Sequence, residues 1–219
     1  MRALLLLTTL ATLSTPLLAR DTWDVPVKPF DSIELDTAIE AEIVCADEAK
    51  VVVETTRKTF DDLDIRVHGG ELSIDRDMHF SNWFGSDQDS VFVTIYTTGP
   101  LHQLDAHTAA EIQLPECAVA QDSLKVRVST GASVKVAGET QQLDLKASTG
   151  ASFNSGRYRN ELKVGSARVK LSTGATAGLC GASVVEGKLS TGADAFVSNE
   201  AEVDVKLSSG GDITYSRCR

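Results

Sequence analysis

The chain has 219 residues, of which 42% are hydrophobic, with 21 Lys and Arg against 31 Asp and Glu and a formal net charge of −10. So acidic a balance argues against nucleic acid or an anionic membrane as bulk partner, because each would repel it. Gly is frequent at 16 and Pro scarce at 5, no linker-like stretch interrupts the chain, and its length suffices for one continuous core, so a single domain is expected.

Residues 1–19 read as a signal peptide, with Met1 and Arg2 as a positive start, an apolar run over 3–13 and small-residue cleavage after Ala19, leaving 20–219 as the mature chain. That run is too short to span a bilayer and no other approaches ~18 apolar residues, so no transmembrane segment is expected. Cys45, Cys117, Cys180 and Cys218 all follow it, and an exported chain meets an oxidising compartment, which predicts two disulfides. Three pairings are open, with Cys45–Cys117 and Cys180–Cys218 preferred. No two cysteines show C-x-x-C spacing and no His lies within a few residues of one, so no metal site is expected.

Residues 20–100 form an irregular N-terminal part. Strands are predicted over 33–35, 39–44 and 51–53, a turn near 59–63, and two strands, 65–67 and 72–74, joined tightly at His68-Gly69-Gly70. Residues 75–90 break the pattern, because Met78, His79, Phe80, Trp83 and Phe84 interleave with acids without a period. This aromatic insert is read as a cap on the open end of a stack, with a sugar-stacking platform around Trp83 or a disordered loop as alternatives. A β-branched strand over 91–96 ends at Thr98-Gly99-Pro100.

Regular repeats fill 101–219. Ser-Thr-Gly-Ala begins at Ser129, Ser148, Ser172 and Ser190, and Ser-Ser-Gly-Gly at Ser208, with steps of 19, 24, 18 and 18 residues. His107-Thr108-Ala109-Ala110 stands in the same place in an earlier copy, and Asp36-Thr37-Ala38 echoes it earlier still. The long step predicts an enlarged loop carrying Tyr158, and insertions of that kind usually lie on one face, often the binding face. One, three and five places before each Ser the residues are apolar, Gly187 excepted. Two places before stand Arg127, Lys146, Lys170, Lys188 and Lys206, and four places before stand Lys125, Asp144, Arg168, Glu186 and Asp204.

A period of two with one apolar and one charged face is a half-buried strand. A repeat near 18 residues is too short for a helix pair or a four-stranded blade, so each copy must be one coil that buries its apolar face by stacking on the next. The predicted class is all-β, a parallel β-helix-like solenoid. Gly131, Gly150, Gly174, Gly192 and Gly210 are its expected structural turns, where positive φ or close backbone approach excludes a Cβ. The preceding Thr130, Thr149, Thr173, Thr191 and Ser209 are expected inward by parity, as is His102, with His107 outward.

Stacking at ~4.8 Å per coil sets Arg127, Lys146, Lys170, Lys188 and Lys206 in one column of like charge. Repulsion there can be relieved by the neighbouring acids Asp144, Glu186 and Asp204, or by a polyanion such as an acidic polysaccharide. Candidate ligand-binding residues are these five with Trp83 and Tyr158. A catalytic Ser is a single activated residue with a positioned base, whereas five equivalent serines fit a structural corner. No P-loop, G-x-S-x-G, H-E-x-x-H or calcium-binding repeat is present, and neither cofactor nor catalytic residues are expected.

The segment Phe30-Asp31-Ser32-Ile33-Glu34-Leu35, the strand over 39–44, the strand-turn-strand over 91–104 and the serial Ser-x-Gly-Ala turns resemble the head GIN domain family of auto-transporter adhesins, a domain of unknown function. The resemblance covers nearly all of the mature chain. It implies a right-handed solenoid on an exported, mostly bacterial protein. Asp after the Gly-Ala or Gly-Gly pair stands only at Asp194 and Asp212, which weakens any ligand role for an Asp ladder. With Arg219 as the last residue, the membrane barrel of an auto-transporter is not expected. The expectation is therefore a non-catalytic surface or periplasmic scaffold that binds a glycan or protein. The rival is a polysaccharide lyase or hydrolase on the same architecture, which would need converging carboxylates or a Lys or Arg base beside a calcium site.

Overall fold

A strand with alternating apolar and charged residues can bury one face only, and seven such strands in series must find a common interior. In the computed structural model, which describes residues 21–77, 90–154 and 161–217, they do so as the two sheets of a β-solenoid. The first strands are β1 (Asp21–Pro26), β2 (Ser32–Leu35), β3 (Ile39–Cys45), β4 (Lys50–Thr55), β5 (Leu63–His68), β6 (Glu71–Arg76) and β7 (Val91–Thr97), with a short helix α1 (Arg57–Asp61) between β4 and β5. The coils continue through β8 (Gln103–Ala106), β9 (Glu111–Leu114), β10 (Ser123–Val128), β11 (Ser133–Val136), β12 (Gly138–Ala147) and β13 (Ser152–Phe153). They end with β14 (Leu162–Leu171), β15 (Thr176–Leu179), β16 (Ala182–Ser190), β17 (Asp194–Ser198), β18 (Glu202–Ser208) and β19 (Asp212–Ser216).

Each coil runs up one sheet, turns, and returns down the other. One sheet has the order β18-β16-β14-β12-β10-β8-β2-β6-β5 and the other β1-β4-β7-β3-β9-β11-β13-β15-β17-β19. From β8 onward every pairing is parallel and in register. The Asp36-Thr37-Ala38 turn belongs to the stack but does not open it, since β2 and β3 pair in parallel with β8 and β9 on one side and with β6 and β7 on the other. The apolar rows meet between the sheets, where Leu124, Val126, Leu143, Leu145, Val169, Leu171, Val185 and Leu189 lie with Phe153 in one continuous buried cluster.

The turn itself differs from the sequence expectation in one respect. Thr130, Thr149, Thr173, Thr191 and Ser209 are exposed, not inward. Both central residues of the turn are left-handed, as with Thr130 at φ 54° and Gly131 at φ 75°, and the Ala132 N–H donates to the Ser129 carbonyl at 3.1 Å. Two successive positive φ values describe a type I′ turn, which breaks the period of two. Ala at the fourth place is therefore the buried residue. Stacking acts through the backbone instead of through threonine hydroxyls: the N–H of Gly131, Gly150, Gly174 and Gly192 donates to the carbonyl of Thr149, Thr173, Thr191 and Ser209 in the next coil, at 2.9–3.1 Å.

A Cβ built on Gly131, Gly150, Gly174 or Gly192 would meet nothing within 4 Å. Positive φ, and not close approach, therefore selects Gly at this place. Gly187 is the opposite case: it breaks the apolar row, and a Cβ there would stand 2.0 Å from the Val169 carbonyl oxygen of the coil below.

The long step is taken up between β13 and β14, because Gly138 pairs with Leu162 and Ala147 with Leu171 at one constant offset. The predicted loop site Tyr158 lies outside the described residues, as do Trp83 and the signal peptide. Strand β13 has two residues, and Asn154 extends its pairing: its Oδ1 accepts from the Val136 N–H at 2.7 Å and its Nδ2 donates to the Val136 carbonyl at 3.0 Å.

The N-terminal end departs from parallel stacking. β1 pairs antiparallel with β4, β4 antiparallel with β7, and β5 with β6 as a hairpin through Gly69 and Gly70. Trp23 of β1 stacks on Phe60 of α1 at 4.4 Å between ring centres. Cys45 at the end of β3 is disulfide-bonded to Cys117 in a short 3-10 turn, Glu116–Ala118. Cys180 is also disulfide-bonded, and its expected partner Cys218 lies outside the described residues.

Candidate functional site: a cation ladder

Because the strands pair in register, the residue two places before each turn stacks on its counterpart. Arg127 pairs with Lys146, Lys146 with Lys170, Lys170 with Lys188 and Lys188 with Lys206 across β10, β12, β14, β16 and β18. Five cations thus stand on one sheet face at the strand spacing of ~4.8 Å. The neighbouring column, Lys125, Asp144, Arg168, Glu186 and Asp204, is also in register. Pairing with its acids is not what the side chains do. Among the described residues Lys146, Lys170, Lys188 and Lys206 form no ion pair within 4.0 Å, and all four are exposed.

Arg127 is different. Its Nη1 donates to Asp105 Oδ2 at 2.8 Å, and the Gln103 Nε2 donates to the same oxygen at 3.0 Å. Asp105 occupies the ladder position on β8 and is buried at 7% exposure. Below it stands Glu34. The column therefore changes sign between β10 and β8, and the cation ladder has a defined end.

Beside the ladder runs a row of hydroxyls. His107, Ser129, Ser148 and Ser172 line an open groove of about 320 Å³ together with Arg127, Lys146 and Lys170. His107 Nδ1 lies 2.7 Å from Ser129 Oγ, so the groove ends at the same coil that carries Asp105. Cations and hydroxyl donors along one line are the groups that hold carboxylate or sulfate oxygens through charge-assisted hydrogen bonds.

Sequence reasoning thus located the five cations, and the structure brings them together. It placed His102 inward, but His102 is exposed: β8 begins at Gln103, and the inward position is taken by Leu101, which bridges to Val119. It did not single out Asp105 or the serine row. Asp105 was detectable, since it stands two places before His107 and so in the column otherwise held by cations. Among the described residues no group of His, Cys, Asp and Glu is placed to hold a metal ion, and no helix is long and apolar enough to cross a membrane.

Several solved structures share the fold. A putative adhesin from Bacteroides fragilis is 13% identical, with a TM-score of 0.63 over 91% of this chain and 97% of that one. A putative lipid binding protein from Parabacteroides distasonis is 11% identical, with a TM-score of 0.56 over 92% and 98%. A putative adhesin from Parabacteroides merdae is 12% identical, with a TM-score of 0.52 over 92% and 98%. At such identities the likeness speaks for the fold alone. No curated protein matches the chain in sequence. The family model described as putative auto-transporter adhesin, head GIN domain, matches residues 29–217, and the chain belongs to that family.

Proposed function

We propose that the protein is an exported, non-catalytic adhesin-like scaffold that binds acidic glycans along its cation ladder. The observation that carries this reading is the register Arg127–Lys146–Lys170–Lys188–Lys206 with four of its members unpaired by acids. Like charges opposite one another on neighbouring strands destabilise a sheet. A polyanion lying along the column relieves that repulsion over its whole length, whereas a small anion would neutralise one rung. Adhesin-family membership agrees with a surface partner, and the Cys45–Cys117 disulfide agrees with an oxidising compartment outside the cytoplasm. A periplasmic or cell-surface site suits a polymer ligand equally.

The carboxylates nearest the ladder, Asp144, Glu186 and Asp204, share their column with Lys125 and Arg168, an arrangement for holding charge in balance. The test is binding of polygalacturonate against neutral dextran by the mature chain and by a Lys170→Glu, Lys188→Glu variant. Reversing two cations is expected to weaken polygalacturonate binding by about tenfold or more, at roughly 1 kcal/mol per contact, and to leave the circular dichroism spectrum unchanged. Equal binding by both proteins would remove the reading, and release of reducing ends from the polymer would replace it with the enzymatic one.

A further inference from the structure

The two ends of the solenoid are built differently. At the N-terminal end the chain reverses, so that antiparallel β1 and the β5–β6 hairpin form the outer strands, β1 carries Pro26, and Trp23 covers Phe60. Among the described residues the last coil, at the C-terminal end, has neither device. Strands β18 and β19 are the outermost in their sheets, each with a neighbour on one side only. Their inward rows continue the core pattern with Val203, Val205 and Leu207 on β18 and Ile213 and Tyr215 on β19. Among the described residues the large hydrophobic side chains that stand exposed are Leu207 at 50% and Tyr215 at 55%. One coil earlier the equivalent Leu189 is fully buried.

Natural edge strands avoid pairing by means of proline, charged side chains such as lysine, a bulge or a cover. Of these β18 has, among the described residues, only charges, which are of both signs and so can complement a second copy. β18 reads Glu-Val-Asp-Val-Lys-Leu-Ser, with no proline and with its charges on the outer face. We propose that this edge is a homodimer interface, in which β18 pairs antiparallel with β18 of a second copy about a twofold axis through Val205. In that register Asp204 faces Lys206 of the second copy on both sides of the axis, and Val203 faces Leu207. Opposite charges and apolar pairs directly across an antiparallel ladder each stabilise it. A parallel partner continuing the existing stack would instead set another residue of the cation column against Lys206. An isologous contact uses the same patch twice and closes, whereas a head-to-tail filament would have to engage the N-terminal end, where the strand order and direction differ.

Sedimentation equilibrium of the mature chain tests this. The wild type is expected to be dimeric in the micromolar range. Lys206→Asp places acid against acid at both contacts and is expected to weaken dimerisation by about tenfold or more, while Asp204→Lys combined with Lys206→Asp restores the complementary pairs and the dimer. Leu207→Ser, which touches no charge, is expected to weaken it as well. A wild type that stays monomeric throughout, or a Lys206→Asp variant that dimerises as the wild type does, overturns the proposal. So does failure of the double exchange to recover association while the circular dichroism spectrum of the variant stays native.

Discussion

Arg127 on β10 donates to Asp105 on β8 at 2.8 Å across neighbouring strands, with the acid's side chain 10% exposed and the arginine's 37%. The ladder therefore starts with its one paired rung among the described residues, and the pairing keeps a buried carboxylate from standing alone. Removing the half-exposed partner leaves that carboxylate with Gln103 only. Arg127→Ala is expected to destabilise the fold by about 2 kcal/mol, read from the urea midpoint. Asp105→Asn keeps the shape and removes the charge, so its loss should be smaller. It should also free Arg127 for a ligand and strengthen polygalacturonate binding. Weaker binding by Asp105→Asn would show that the acid serves the site in some other way.

Two glycines should respond unlike one another to the same substitution. Gly150 has φ 71° and open space around a built Cβ, and the same place in earlier turns is held by Ala38 and Ala109 at φ 56° and 62°. Gly150→Ala should thus cost about 1 kcal/mol, the usual penalty for a left-handed alanine. Gly187→Ala would press a methyl onto the Val169 carbonyl at 2.0 Å and must move a strand, so a loss of about 3 kcal/mol or more is expected. Equal unfolding free energies for the two variants would contradict the stacking of β16 on β14.

The Cys45–Cys117 disulfide closes 72 residues of chain and ties the end of β3 to the 3-10 turn Glu116–Ala118 of a later coil. Loop-closure entropy for that length corresponds to about 4 kcal/mol. A Cys45→Ser, Cys117→Ser variant should unfold at lower urea by up to that amount while the register of β10 to β18, which the bond does not touch, persists. Amide exchange of the Gly131, Gly150 and Gly174 N–H groups that donate between turns would report on it.

What was legible in the sequence follows from how much each signal was repeated. The apolar row and the cation column recur in five coils at a constant distance from a glycine, and a one-residue slip would expose every Val and Leu at once, so register could be read without coordinates. The glycine's place at the turn was legible for the same reason, while the choice between positive φ and close approach needed the structure. Thr130 and its equivalents were misread because parity assumes extended backbone, and a Thr at φ 54° is invisible to a pattern of hydrophobicity. The reversal of β4 was likewise hidden, since an alternating strand carries no mark of its direction, whereas that of β5 showed in the tight connection to β6 at Gly69 and Gly70. Asp105 stands in the right column, but on a coil whose turn, His107-Thr108-Ala109-Ala110, lacks both Ser and Gly.

A ladder with one cation per coil makes a quantitative demand on its ligand. Successive charges on Lys146, Lys170, Lys188 and Lys206 are separated by about 4.8 Å, and the column ends where Asp105 and Glu34 take over. An acidic oligosaccharide bearing one carboxylate on each sugar can engage one rung per residue, whereas a polymer charged on every second sugar cannot. Affinity should therefore rise with each added galacturonate up to about four residues, as successive rungs contribute under 1 kcal/mol apiece. Beyond that length it should level off. Raising the salt concentration should weaken the longer oligomers most, because screening acts on every exposed contact. Isothermal titration with oligomers of defined length decides the matter: affinity that does not depend on length up to about four residues would mean that the lysines act singly and that their alignment is not what binds.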